Sequence, residues 1–271
     1  MTVGQGTEKR GRVLAIAGSD SGGGAGVQAD IKTITALGGY AMSAITAVTV
    51  QDTLGVSAIH AVPPEVIAAQ IRTVLADLGA DAIKTGMLGE AGAIEAALEA
   101  LADWPDIPLV VDPVMVATSG ATLISAGALG PLRRLIGRAA LVTPNAPEAE
   151  ALTGIAVATT DDLRRAGETL LTSGVRAVLM KGGHVPGDSV IDILMTPAGE
   201  TILEAPRIAT RHTHGTGCTL ASACAVGLAQ GLSLEHAVAR AWAYVGEAIR
   251  RAPGYGAGHG PLDHGWPLRD A

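Results

Sequence analysis

Short apolar runs and helical periodicities alternate along almost the whole chain. Arg12–Gly18 (RVLAIAG) is an apolar run ending in glycine, the pattern of a buried strand. The Gly-rich stretch Ser19–Gly26 separates it from VQADIKTITALGG, where Val27, Ile31, Ile34 and Leu37 recur at helical spacing. Tyr40–Gln51 is rich in β-branched residues and predicts a second strand. Val62–Leu78 returns to a helical period behind Pro63 and Pro64, which a helix tolerates at its start. Further strands are expected over Ala82–Leu88, Leu109–Met115, Ala140–Asn145 and Ala177–Gly182. Helices are expected over Ala91–Trp104, near Ala126–Arg138, from Asn145 onward and over Asp161–Thr172. A turn is expected at Ser119-Gly120, and a hairpin at Val190–Leu194 and Thr201–Leu203. Arg211–Gly217 is a polar loop that opens into small and apolar residues reaching Gly231, and Leu234–Ile249 predicts a long amphipathic helix. This alternation predicts an α/β fold, a mostly parallel central sheet with helices on both faces. Residues 1–11 are expected to form a loose tail. With no linker-like run and no internal repeat, residues 12–271 are expected to form one domain.

Composition narrows the picture. Hydrophobic residues make up 48% of the 271, but aromatics only 2% with no Phe, so Ala, Val, Ile and Leu must build the core. The net charge of −7 argues against an electrostatic grip on nucleic acid, while a local anion site stays possible. The two cysteines, Cys218 and Cys224, stand on one predicted helix, about 9 Å apart along its axis, and cannot pair within it. A reducing compartment fits. The N-terminal residues show no apolar signal-peptide core, and no apolar run approaches the roughly 20 residues of a spanning helix. A cytoplasmic protein with no membrane partner is expected.

Two glycine loops hold the candidate chemistry. In the first, Gly24-Ala25-Gly26-Val27-Gln28-Ala29 scans as G-x-G-x-x-A, a partial dinucleotide fingerprint; no lysine follows as a phosphate-binding Walker loop requires. In the second, Gly215-Thr216-Gly217-Cys218 opens a helix. Glycines there let successive N–H groups converge, and the helix start adds unpaired N–H groups and a positive dipole end. A phosphate is the natural occupant. The thiol of Cys218 is expected to lean toward thiolate at that entry.

Asp20, Gln51, Asp112, Asn145, Glu148 and Lys181 all close predicted strands, where α/β sheets collect ligands. Each has a plain structural explanation alone, as a turn cap, a solvated strand end or a helix-start carboxylate. Together, two acids with an amide can hold hydrated Mg²⁺, and a lysine can neutralise a phosphate in transfer. His184, His212, His214, His259 and His264 fit no standard zinc spacing and are expected as loop residues, with His214 tightening the anion hole.

The segments AGSDSGGGAGVQADIKT, ITAVTVQDT, KTGMLG, VVDPVM, TPNAPEAE, VLMKGGH, THGTGCTL and GHGPLDH follow one another in order. Through them the chain, from about Val13 to about His264, resembles the bacterial hydroxymethylpyrimidine/phosphomethylpyrimidine kinases of thiamine biosynthesis, members of the ribokinase-like superfamily. The resemblance implies a three-layer ribokinase-like fold and ATP-dependent phosphorylation of 4-amino-5-hydroxymethyl-2-methylpyrimidine, then of its monophosphate. It implies that Gln51 hydrogen-bonds the pyrimidine, with Ala25, Met87 and Val114 as apolar walls and Asp30 nearby. It further implies that Asp112, Asn145 and Glu148 organise Mg²⁺, that Lys181 meets the ATP phosphates, and that Gly215 to Cys218 form the anion hole. Cys218 replaces an aspartate base found in many ribokinase relatives and is expected to act as the base. A homodimer is implied as well. The alternatives are a pyridoxal kinase of the same superfamily and, from the glycine scan alone, a nicotinamide oxidoreductase.

Overall fold

The computed structural model describes residues 10–116, 120 and 123–269. Residues 1–9 of the expected tail, Ser119 of the expected turn and residues 270–271 lie outside the described residues. Its centre is a nine-stranded sheet. In chain order the strands are β1 (Arg12–Asp20), β2 (Tyr40–Gln51), β3 (Val56–Ala61), β4 (Ala82–Thr85), β5 (Leu109–Val111), β6 (Leu141–Val142), β7 (Val178–Met180), β8 (Ser189–Thr196) and β9 (Gly199–Pro206). They lie side by side as β3-β2-β1-β4-β5-β6-β7-β8-β9. β2, β1, β4, β5, β6 and β7 pair in parallel, with Val13 opposite Ala41 and Ala82, while β3, β8 and β9 are added at the two edges by antiparallel pairing.

Among the described residues eight α-helices cover the sheet: α1 (Gly26–Ala36), α2 (Pro64–Asp77), α3 (Ala91–Ala100), α4 (Leu129–Ile136), α5 (Ala146–Thr153), α6 (Thr160–Thr172), α7 (Thr216–Ala229) and α8 (Leu234–Arg250). Successive strand residues point to opposite faces, and the core divides accordingly. Leu14, Ile16, Val111, Val142 and Val178 join α2 to α6 in one buried cluster. Val13, Val110, Leu141 and Leu179 join α1, α7 and α8 in the other. The two faces make three layers. α7 can lie flat against the sheet because Ala221, Ala223, Ala225 and Cys224 are small and fully buried.

Some boundaries differ from the sequence expectation. The strands expected over 82–88 and 109–115 stop at Thr85 and Val111, where the chain leaves the ladder at the sheet's carboxyl edge. β3 carries no readable period because five of its six residues face solvent. In α1 the spacing holds but the face is rotated: Ile31 is 40% exposed, whereas Asp30 and Thr33 are fully buried. Gly11, expected in the loose tail, is packed, its carbonyl accepting from the Tyr40 N–H and its Cα lying against Ala229. Among the described residues no helix is long and apolar enough to cross a membrane.

Candidate active site

The carboxyl edge of the parallel strands opens on a cavity of about 1000 Å³. One end is built by β1, β2 and the loops after β4 and β5. Asp20 closes β1, buried, with Oδ1 accepting from the Gly22 N–H (2.8 Å) and Oδ2 from those of Gly24 (3.0 Å) and Ala25 (2.8 Å). Its side chain therefore folds the first glycine loop. Burial pushes its carboxyl up, but His214 and these N–H groups outweigh that and hold it below the usual carboxylate range. His214 Nε2 lies 2.9 Å from Asp20 Oδ2 and 3.3 Å from Gln51 Nε2. Gln51 Oε1 lies 3.1 Å from the Thr49 hydroxyl. Ala25, Met87 and Val114 line the same end. The C-terminal segment braces it from outside: Thr53 accepts from the N–H groups of Gly258 and His259, and the Gly260 carbonyl accepts from His214 N–H.

At the middle of the cavity stands the N-terminus of α7. Gly215 caps it at φ 86°, and a Cβ there would stand 1.9 Å from the Gly24 carbonyl oxygen, so the two glycine loops interlock. No side chain caps this helix, and the Thr216 N–H donates to the Thr213 carbonyl (3.3 Å), so the N–H groups of Gly217 and Cys218 are the ones open to a ligand. A Cβ on Gly217 would stand 3.2 Å from Lys181 Nζ and 3.5 Å from Asp112 Oδ2, so the start of α7 faces the charged cluster directly. In that cluster Asp112 Oδ1 accepts from Lys181 Nζ (3.0 Å) and from the Thr143 hydroxyl (3.1 Å). Glu148 Oε2 lies 3.8 Å from Lys181 Nζ. Burial pulls the Lys181 ammonium down, but Asp112 and Glu148 outweigh it and hold the lysine above its usual value. Burial, reinforced by Asp112, holds Glu148 well above the usual glutamate range.

Asn145 and Glu148 also do a structural task. Asn145 Oδ1 accepts from Glu148 N–H, and Glu148 Oε2 accepts from Asn145 N–H, a capping box at the start of α5. Free lone pairs remain on both residues and on Asp112 Oδ2. Two carboxylates and an amide beside an uncapped helix start suit a cation that keeps several waters and binds mostly to phosphate, which is how Mg²⁺ behaves.

Three expectations change. Asp30 does not line the cavity; it is fully buried below it, its Oδ1 bound by Lys84 Nζ (2.8 Å) and the Ser222 hydroxyl (2.7 Å). Cys218 does line it, with the Gly26 N–H against its sulfur. Its thiol is not lowered: burial pushes it up to about 11, against the pull of Lys84. Desolvation thus beats the favourable helix end. Nor does the His214 ring belong to the anion hole, since it ties Asp20 to Gln51. His264 instead braces the first turn of α7, contacting the Thr219 hydroxyl at 3.0 Å.

The sequence reading passed over Lys84, although a lysine inside the apolar run AIKTGML signals a buried partner. It also passed over the far end of the cavity. There Val190, Pro206, Ile208, Trp242 and Trp266 supply apolar surface, and Asp192 accepts from Trp242 Nε1 (3.1 Å) and Gly182 N–H (2.7 Å).

The family model described as phosphomethylpyrimidine kinase matches residues 20–263. The chain belongs to this family. It is 51% identical to the hydroxymethylpyrimidine/phosphomethylpyrimidine kinase of Streptomyces coelicolor, over 94% of this chain and 95% of that one. It is also 51% identical to the thiamine biosynthesis bifunctional protein ThiED of Geobacter sulfurreducens, over 94% of this chain but 52% of that protein, so it spans about half of ThiED. Among solved structures it is similar to an ADP complex of Bacillus subtilis pyridoxal kinase, at a TM-score of 0.89 and 32% identity over 96% of this chain and 99% of that one. The fold is that of these kinases, and the protein is a phosphotransferase by family. The glycine scan behind the oxidoreductase reading has another cause: a Cβ at Gly24 would stand 2.5 Å from His214, and one at Gly26 2.3 Å from the Gly18 carbonyl oxygen.

Proposed function

We propose that the protein phosphorylates 4-amino-5-hydroxymethyl-2-methylpyrimidine with ATP and then phosphorylates the monophosphate to the diphosphate, as a step of thiamine biosynthesis. The observation that carries this reading is the single cavity joining the Gln51 end to the Asp112–Lys181 cluster across the mouth of α7. Its volume of about 1000 Å³ is at the top of the range for small-ligand sites, enough for two ligands end to end. A carboxamide at Gln51 offers the donor and acceptor that an aminopyrimidine edge needs, and Ala25, Met87 and Val114 give the ring apolar walls. The nucleotide's base lies toward Trp242 and Pro206, with its phosphates at Lys181 and the Gly217 and Cys218 N–H groups. Asp112, Asn145 and Glu148 would hold Mg²⁺, which would supply positive charge against the phosphates in transfer. Transfer of this kind depends on positioning and electrostatics, which the cluster supplies. Cys218, between the two ends, is placed to take the hydroxymethyl proton.

Purified protein with Mg²⁺ and ATP should convert the monophosphate to the diphosphate. Reaction of the free alcohol alone would sink the second half of the proposal. Likeness to pyridoxal kinase supports a second reading, which turnover of pyridoxal in place of the pyrimidine would establish. A homodimer through the β2–β3 edge belongs to the same proposal, because Val50, Leu54 and Ile59 are exposed there.

A further inference from the structure

Thr49, Gln51, His214 and Asp20 form one chain of contacts at the Gln51 end, and its donors and acceptors can be counted. Asp20 Oδ2 already accepts two backbone N–H groups, and the carboxyl is held ionised. It has no proton to offer, so His214 Nε2, 2.9 Å away, carries one and donates it. With Gln51 Nε2 turned toward that same nitrogen, two donors meet at 3.3 Å. At the other end the single hydroxyl proton of Thr49 would have to serve both the Ser19 carbonyl (2.9 Å) and Gln51 Oε1 (3.1 Å). A half-turn of the carboxamide exchanges nitrogen and oxygen without changing its shape. His214 Nε2–H is then shared between Asp20 Oδ2 and, more weakly, Gln51 Oε1, while Gln51 Nε2 donates to Thr49 Oγ1 and Thr49 donates to the Ser19 carbonyl. No donor is left facing a donor, and Thr49 no longer has to serve two acceptors.

We infer that Thr49 and His214 lock the Gln51 carboxamide with its oxygen toward His214 and its nitrogen toward Thr49, so that the pocket accepts a ring edge of one hydrogen-bond polarity and rejects its isostere. Gln51 keeps one lone pair and one N–H for the ligand, and their order along the pocket is fixed. An amino group beside a bare ring nitrogen fits this order. An oxo group beside a ring N–H has the reverse order, and fits only if the carboxamide turns back into the donor–donor contact. Thr49 and His214 are thus positioning residues for specificity. The inference rests on the proposal that Gln51 faces the pyrimidine.

The test compares kcat/KM for 4-amino-5-hydroxymethyl-2-methylpyrimidine and its 4-oxo counterpart. The parent should prefer the amino compound by roughly 10³-fold or more, since a mispaired buried edge is strongly rejected. Thr49→Val keeps the shape but removes the acceptor and should lower this ratio about tenfold, the worth of one hydrogen bond. Thr49→Ser should restore it, and His214→Phe should lower it as well. Ratios unchanged in Thr49→Val and His214→Phe, including a parallel loss of both activities, overturn the inference if Gln51→Leu still weakens pyrimidine binding. If Gln51→Leu leaves that binding intact, the proposed pocket itself is wrong and the inference falls with it.

Discussion

At Cys218 the position and the protonation state pull in different directions. The sulfur sits between the two ends of the cavity, yet burial pushes its thiol up to about 11. Below that value the thiolate fraction grows tenfold per pH unit, so a base role has a direct signature. If Cys218 accepts the proton, log kcat should climb with a slope near one from pH 7 to pH 9. Cys218→Ser should lower kcat by roughly 10²–10⁴, and Cys218→Asp should recover part of it and flatten the profile. Cys224 is fully buried in the same helix, its thiol pushed up to about 12 by burial, and Cys224→Ser should matter little. Steady-state kinetics across pH decide this; a flat profile with an active serine variant leaves the thiol structural. Gln51→Leu strips one donor and one acceptor, a loss of roughly 1–3 kcal/mol for each buried group left unpaired. Calorimetry should show weaker pyrimidine binding with nucleotide binding unaltered.

Helix starts decide the geometry at the next scale. Gly215→Ala puts a side chain in the left-handed region and against the Gly24 carbonyl, at a cost of about 1–3 kcal/mol from the backbone alone. Thermal unfolding should register the loss, and both ligands should bind more weakly because both glycine loops move. At the start of α5, Glu148 is raised from 4.5 to about 7 by burial. Between these values the folded chain keeps a proton that the unfolded chain has released, so this group lowers stability as pH rises. Glu148→Gln keeps a capping side chain and removes the titration. Denaturant unfolding without Mg²⁺ should therefore find the variant gaining on the parent between pH 5 and pH 7, by up to about 3 kcal/mol. An unchanged difference would mean that Glu148 titrates normally. The start of α5 was legible as Asn145-Ala146-Pro147-Glu148, and its capping box appears in the structure. The true inner face of α1 was not, because Asp30 turns inward to meet a lysine 54 residues away.

On the scale of the molecule, the alternation of strands and helices made the sheet and its carboxyl edge legible, and with them Asp20, Asp112, Asn145 and Lys181 as neighbours. Contacts that cross the chain were hidden from any periodicity. His214 meets Asp20 across 194 residues, and only folding reveals that its ring reaches Gln51 rather than the start of α7. Strand ends were overestimated for a related reason: apolar residues such as Met87 and Val114 continue the pattern of the strand while lining the cavity. The exposed β2–β3 edge carries a prediction of its own. Val50 is 59% and Leu54 68% exposed, so Val50→Asp should leave the monomer folded and shift the assembly toward it in sedimentation velocity. An unaltered sedimentation coefficient would rule this edge out as an interface.

The distribution of the three tryptophans has a practical consequence. Trp242 and Trp266 line the far end of the cavity, while Trp104 packs on the opposite side of the sheet among the helices. Two of the three indoles thus face the space assigned to the nucleotide base, in a chain with no Phe and only three Tyr. Ultraviolet emission from the unlabelled protein then becomes a gauge of occupancy, bright or quenched according to what fills that end. Trp104, remote from it, provides a steady background against which the signal is read.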